Sequence, residues 1–337
     1  MNRHYWTWPI AIYLFLGGLG GGILCFSMVF SFVFPDYGLA IGPVFALPIF
    51  IAVACLGLGC FFLVFELGQP QVFLRVFLTA TSIIKWGAVL LSFALIFAFI
   101  YFLSCLPWAF FAFLVPLRPL CLVLAGISGT LVMVYTGVFL ASLKPHAFWN
   151  TPALPVLFTV SALSTGSAAT AATVGKWPVT FPELLIALNP LADAGATRTL
   201  GFEMLHHIQE QLHAIDMALI GLELVVLFIY VLLLRGSGNE VARAVAKRWL
   251  SGKFAAAFWV GMVFFGLLVP FLAYLAGGVA ASFFAPIMVL AGGCLLRFLV
   301  VFSDDRRLVP GEKRFYDRLP RHGEAFLGAW KDKENLY

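Results

Sequence analysis

The chain has 337 residues, 62% of them hydrophobic and only 11% charged, with a mean hydropathy of +0.99. A soluble domain carries about 25% charged residues, so a water-soluble globule is excluded and an integral membrane protein is the reading left. The formal net charge of +5 comes from basic residues flanking apolar runs and calls for no nucleic-acid partner.

The first run, from Pro9 to Phe34, follows the interfacial aromatics Tyr5, Trp6 and Trp8 and is about 26 residues or ~39 Å long as a helix, enough to span a bilayer. It lacks the short apolar region and small-residue cleavage site of a signal peptide and is expected to be retained. Its "LGGLGGG" (residues 16 to 22) has neither the preceding strand nor the solvated helix start that a phosphate-binding loop needs. The i, i+4 pairs Gly17/Gly21 and Gly18/Gly22 instead predict a flat face for close helix packing. Further apolar runs predict spans at roughly 42–65, 85–106, 118–141, 153–175, 204–234, 254–276 and 278–302, eight in all. The sixth begins polar, so only its second half need lie in hydrocarbon. Residues 303–337 are highly charged and are expected outside the bilayer. The six cysteines, Cys25, Cys55, Cys60, Cys105, Cys121 and Cys294, stand singly in apolar segments without a CxxC pair. They read as small buried hydrophobes, not as zinc or iron–sulfur ligands.

Eight spans put both termini on one face. Of the 21 lysines and arginines, only Arg118, Lys176 and Arg198 fall on the other; the rest, Arg297 among them, are counted on the terminal face, which the positive-inside rule makes cytoplasmic.

Polar side chains at membrane depth are costly and usually face a bundle interior, a cavity or a partner. Tyr13 near the start of span one, Glu66 and Gln69 at the end of span two ("FELGQP") and Tyr135 near the end of span four all fall toward the terminal face, as does His146 in the loop that follows. A phenol, an amide and a carboxyl at one depth suit the two carbonyls of a quinone and the exchange of its protons; interfacial tyrosines and a helix-end carboxylate are the plain alternative. The second cluster is "GFEMLHHIQEQLHAIDMALIGLELVVLF", residues 201 to 228. At 100° per residue Glu203, His206, Glu210 and His213 share about an 80° arc, and Asp216 and Glu223 lie about 20° apart further round. Such a ladder suits an inward proton path. The alternative is an amphipathic helix start plus one buried glutamate bonded to a serine or threonine of span five. A b-type haem needs two axial groups inside the spans; His4 and His146 share a face but neither is inside one, so no haem or metal is expected in this chain.

Four stretches, "WPIAIYLFLGGLGGGI", "FELGQPQVF", "YTGVFLASLKPHAFWNTPALPVLFTVSALSTG" and "IDMALIGLELVVL", resemble the NrfD/PsrC-type membrane subunits of polysulfide reductase and related respiratory oxidoreductases. The resemblance implies an all-α membrane domain over 1–302, built as two four-helix bundles (1–141 and 153–302), in a prokaryotic cytoplasmic membrane. It implies menaquinone or ubiquinone bound near a ferredoxin-like iron–sulfur subunit, itself attached to a catalytic subunit, often a molybdopterin enzyme. By position, Tyr135 is then the quinone-contacting tyrosine of the "YTG" motif, Tyr13 takes the place of a histidine found in some relatives, and Glu66 and Glu223 match carboxyls suspected of proton transfer. The family's usual "LGRP" is "LGQP" here, which removes a guanidinium at Gln69. The function implied is a quinone-reactive anchor exchanging electrons with the iron–sulfur partner, with Asp216 and Glu223 relaying protons. A secondary transporter or proton-coupled channel is the alternative, supported by the same carboxyls and glycine-rich spans, and a purely structural anchor is a third.

Overall fold

Trp8–Val33 forms one helix, α1, in the computed structural model of the protein, which describes residues 8–33, 42–66, 83–106, 108–143, 148–177 and 194–303. Among those residues the structure is 91% helical with no strands, and eight helices are long and apolar enough to cross a membrane. After α1 come α2 (Ala46–Glu66), α3 (Ile83–Ser104), α4 (Arg118–Ala141), α5 (Ala153–Thr173) and the 43-residue α6 (Ala194–Gly236). A short helix, α7 (Glu240–Leu250), precedes α8 (Ala257–Ala276) and α9 (Ala280–Phe302). Both of the last two begin with a π-helical stretch, Ala257–Leu268 and Ala280–Phe284, and the turn between them uses Gly277 and Gly278 at φ of 70° and 61°. A side chain is strained at such φ. The protein thus crosses the membrane many times, with the eight spans expected from hydropathy and ends differing by a few residues. The exception is α6, whose polar beginning is continuously helical; at 1.5 Å per residue it is roughly 64 Å long, twice the ~30 Å hydrocarbon core.

The glycines of α1 set the packing. A Cβ on Gly17 or Gly21 would meet α4, at Thr136 and at the Gly129 carbonyl, whereas one on Gly18 or Gly22 would meet α5, at Ala162 and Gly166. Each i, i+4 pair therefore admits one neighbouring helix, as the spacing predicts. The register makes α4 antiparallel and α5 parallel to α1. Helix α1 also touches α2 and α9, so most of its surface is inside the protein. Trp8, Ala141, Ala153, Gly236 and Phe302 consequently share one face, termed the Trp8 face below.

That face is fastened by ring N–H and O–H donors. Trp149 Nε1 donates to the Val300 carbonyl at 3.1 Å and the Tyr230 hydroxyl to the Phe148 carbonyl at 2.7 Å. Trp249 Nε1 donates to Ser303 Oγ at 2.5 Å. Buried indoles and phenols find such partners because an unpaired polar group in an apolar medium is costly. At the other end Arg118 Nε donates to Ser104 Oγ at 3.1 Å and a terminal nitrogen donates to the Ser104 carbonyl, closing α3 onto α4.

Candidate functional site

On the Trp8 side, Tyr13 of α1 is buried and Tyr135 of α4 half-buried, each about 7–9 Å of helix rise from the face. Packing of α1 on α4 brings the two phenols within electrostatic reach of one another, with the Cys60 thiol of α2 also near Tyr13. The Tyr135 ring occupies the space that a Cβ on Gly87 of α3 would need, and it stacks on Phe139 with centroids 5.9 Å apart and planes at 30°. Four helices therefore contribute to one small site. Glu66 is the last residue of α2, but its side chain, like Gln69 and His146, lies outside the described residues.

The second cluster is built on α6, where Asp216 and Glu223 are seven residues apart and both are buried. Asp216 is bonded at both oxygens: Ser164 Oγ of α5 donates to Oδ1 at 2.6 Å, and the Tyr274 hydroxyl of α8 donates to Oδ2 at 2.6 Å. This places the carboxyl at the junction of three spans. One turn along α5, Ser161 lies near Glu223, whose Oε1 has no partner. Ser161 Oγ accepts from Arg297 Nη1 of α9.

Arg297 departs from its expected place. Its position in the sequence assigns it to the charges of the terminal face, yet it is fully buried, with Nη1 also on the Gly293 carbonyl at 3.0 Å, Nη2 on the Phe158 carbonyl at 3.1 Å and the guanidinium 5.0 Å from the Phe158 ring centroid. Its Nε has no partner, and a Cβ on Gly18 of α1 would lie 3.4 Å from Nη2. The reason is geometric: side chains on a helix lean toward its N-terminus, so an arginine near the end of α9 reaches back into the bundle and not out to the headgroups.

Toward the far face, a cleft of about 350 Å³ is lined by His206, Glu210 and His213 of α6 and by Tyr274, Gly278 and Ser282 at the α8–α9 turn. His206 Nδ1 is 3.4 Å from Glu210 Oε1, and the rings of His213 and Tyr274 are 5.1 Å apart. Glu203 is exposed and does not line the cleft, although the helical wheel groups it with the other three. Polar side chains thus extend from the cleft inward: surface His206 and Glu210, then His213 with its ring against that of Tyr274, which is bonded to Asp216. One turn along α5 from Ser164, Ser161 is bonded to Arg297, near Glu223. The sequence pattern offers serines of span five to one buried glutamate; in the fold they serve both carboxyls. Tyr274 escaped sequence reasoning because "FLAYLAGG" reads as an interfacial tyrosine beside a turn. Among the described residues no group of three or more His, Cys, Asp or Glu side chains is gathered to hold a metal.

The protein is 27% identical over 323 residues to the C subunit of polysulfide reductase from Wolinella succinogenes, a match covering 90% of its own length and 95% of that relative. It is 26% identical over 326 residues to protein NrfD of Escherichia coli, covering 88% and 94%, and 24% identical over 294 residues to a NrfD homologue of Haemophilus influenzae, covering 80% and 82%. The family profile described as "Polysulphide reductase, NrfD" matches residues 1–304, which takes in every described helix, and the protein is a member of that family.

Proposed function

We propose that the protein is the quinone-binding membrane anchor of a respiratory oxidoreductase, exchanging electrons between a quinone pool and an iron–sulfur partner subunit. Family membership supports this, since one relative bears the name of a polysulfide reductase subunit. The observation that carries it is the pairing of Tyr13 and Tyr135 near the Trp8 face, with the Tyr135 ring lying over Gly87. A quinone supplies two carbonyl oxygens and takes up or gives up two electrons with two protons. The residues present fit such a ring: two phenols donate, and neighbouring aromatic and apolar groups exclude water. Tyr135 holds a proton at its hydroxyl where a carbonyl oxygen would sit, and Tyr13 fixes the depth. Glu66, Gln69 and His146 complete this side of the site in the proposal, and the iron–sulfur subunit docks on the Trp8 face with a molybdopterin-type catalytic subunit beyond it.

The proton relay is assigned to the second cluster. Asp216 and Glu223, two turns apart on α6 and facing Ser164 and Ser161 of α5, pass protons inward from the cleft at His206 and His213, with Tyr274 as the intervening hydroxyl. The division into two bundles, α1–α4 and α5, α6, α8 and α9, is the one the resemblance implies; between the sets α1 and α4 both pack on α5, and α1 also touches α9.

Replacing Tyr135 with Phe in the intact complex tests the reading. Losing one hydrogen bond of about 1–1.5 kcal/mol lowers quinol-linked turnover roughly tenfold, while turnover with an artificial dye at the partner stays unchanged. Equal loss of both activities, or of neither, overturns the assignment. Purification of the complex from native membranes with extraction of bound quinone separates this reading from transport, which predicts a polypeptide without quinone or redox partners.

A further inference from the structure

We infer that α7 and the turn after it form a seat for anionic phospholipid headgroups on the Trp8 face, whether or not Tyr13 and Tyr135 meet a quinone. The helix is well made. Asn239 Oδ1 accepts from the Val241 backbone N–H at 2.9 Å as its N-cap, Glu240 stands in the first turn and Lys247 and Arg248 in the last, so its charges match the helix dipole.

Its apolar side is already occupied by the protein. Val241, Ala242, Val245, Ala246 and Trp249 are buried, and the Trp249 indole is tied to Ser303 at the end of α9. No apolar stripe is left to sink into the membrane. What α7 offers outward is Arg243 and Lys247, both exposed and one turn apart, with exposed Lys253 just beyond and Arg235 just before; Glu240 is the only acidic residue in the helix.

The depth of α7 is fixed from both ends. Leu232 and Leu233, 63% and 50% exposed, are lipid-facing residues within one turn of Arg235 on α6. Trp259, also exposed and flanked by exposed Val260, donates its indole N–H to the Leu250 carbonyl at 3.0 Å, so the last turn of α7 sits at the level of an interfacial tryptophan. Basic side chains at that level stand in the phosphate layer. The charge complement they fit is a phosphodiester headgroup, held by lateral contact with a basic surface and not by an inserted apolar stripe.

The test uses the full-length protein in micelles containing equal amounts of phosphatidylglycerol and phosphatidylcholine, counting retained lipids of each kind by native mass spectrometry. Each basic residue near an anionic surface is worth about fivefold in lipid partition. The wild type is therefore expected to retain phosphatidylglycerol in preference, and the triple variant Arg243→Gln/Lys247→Gln/Lys253→Gln to lose at least fivefold of that preference. The charge-preserving triple Arg243→Lys/Lys247→Arg/Lys253→Arg is expected to keep it, which separates loss of charge from loss of fold. Equal preference in wild type and glutamine variant overturns the inference. So does loss of preference in the charge-preserving variant, and so does a co-purifying polypeptide released by the glutamine variant while the lipid preference stands.

Discussion

Tyr274→Phe is the cleanest single perturbation of the second cluster. It deletes one oxygen, leaves the ring against His213 at 5.1 Å, and leaves Ser164 as the sole hydrogen-bond donor to Asp216 among the described residues. A hydrogen bond to a charged group in a protein interior is worth about 1.5–3 kcal/mol. Interhelical polar bonds in membranes average only about 0.6 and reach about 1.7 kcal/mol. Because the lost donor is 2.6 Å from a fully buried carboxyl oxygen, the effect is placed near the top of the membrane range, at about 1.5 kcal/mol or roughly tenfold in the folding equilibrium. Titration from dodecyl maltoside into sodium dodecyl sulfate, followed by circular dichroism, reads this directly. In a double-mutant cycle with Asp216→Asn the two changes are expected to couple by about 1 kcal/mol, since each removes the same bond. A cost below about 0.3 kcal/mol, or additivity within that margin, would refute the three-span junction as drawn.

Further outcomes follow from other parts of the fold. Gly22→Ala forces a Cβ onto the Ala162 carbonyl, whereas Gly57→Ala has open space; the first is expected to abolish most of the monodisperse peak in size-exclusion chromatography and the second to leave it intact. Arg297→Met removes a buried guanidinium that is hydrogen-bonded to Ser161 and to the Gly293 and Phe158 carbonyls and that acts electrostatically on Glu223, and is expected to cost about 1–3 kcal/mol in the same detergent titration. Adding Glu223→Gln to Arg297→Met is expected to restore at least ~1 kcal/mol, and a double variant no more stable than the single one contradicts a coupled pair. Ser164→Ala removes the second donor to Asp216 and is expected to match Tyr274→Phe in direction and in size, to within about twofold.

Hydropathy made the eight spans legible because a bilayer sets one length scale for every crossing. The glycine pairs of α1 were legible too, since i, i+4 spacing fixes which residues share a face. Which helix each face meets was not: nothing in "LGGLGGG" distinguishes α4 from α5 as the neighbour of Gly21. The same gap hid the chemistry. The cost of burying Asp216 and Glu223 singled them out, but the choice of Ser164, Ser161 and Tyr274 as partners depends on helix register. Arg297 was misplaced because position along a helix says how far a Cα lies from the interface, not which way a long side chain leans. Tyr13 and Tyr135 were grouped by depth, a coordinate that hydropathy does supply, and their approach to one another follows from the α1–α4 contact.

The arrangement of α1 also bears on how the protein is made. This helix precedes α5 in the chain, yet the groove for Gly18 and Gly22 is formed by Ala162 and Gly166 of α5. Until α5 has been synthesised, the face of α1 that carries Gly18 and Gly22 lacks its partner, and the helix on the other side, α4, is itself newly inserted. Closure therefore waits on translation. A polypeptide that stops short of α5 leaves that glycine face of α1 without the helix it packs against.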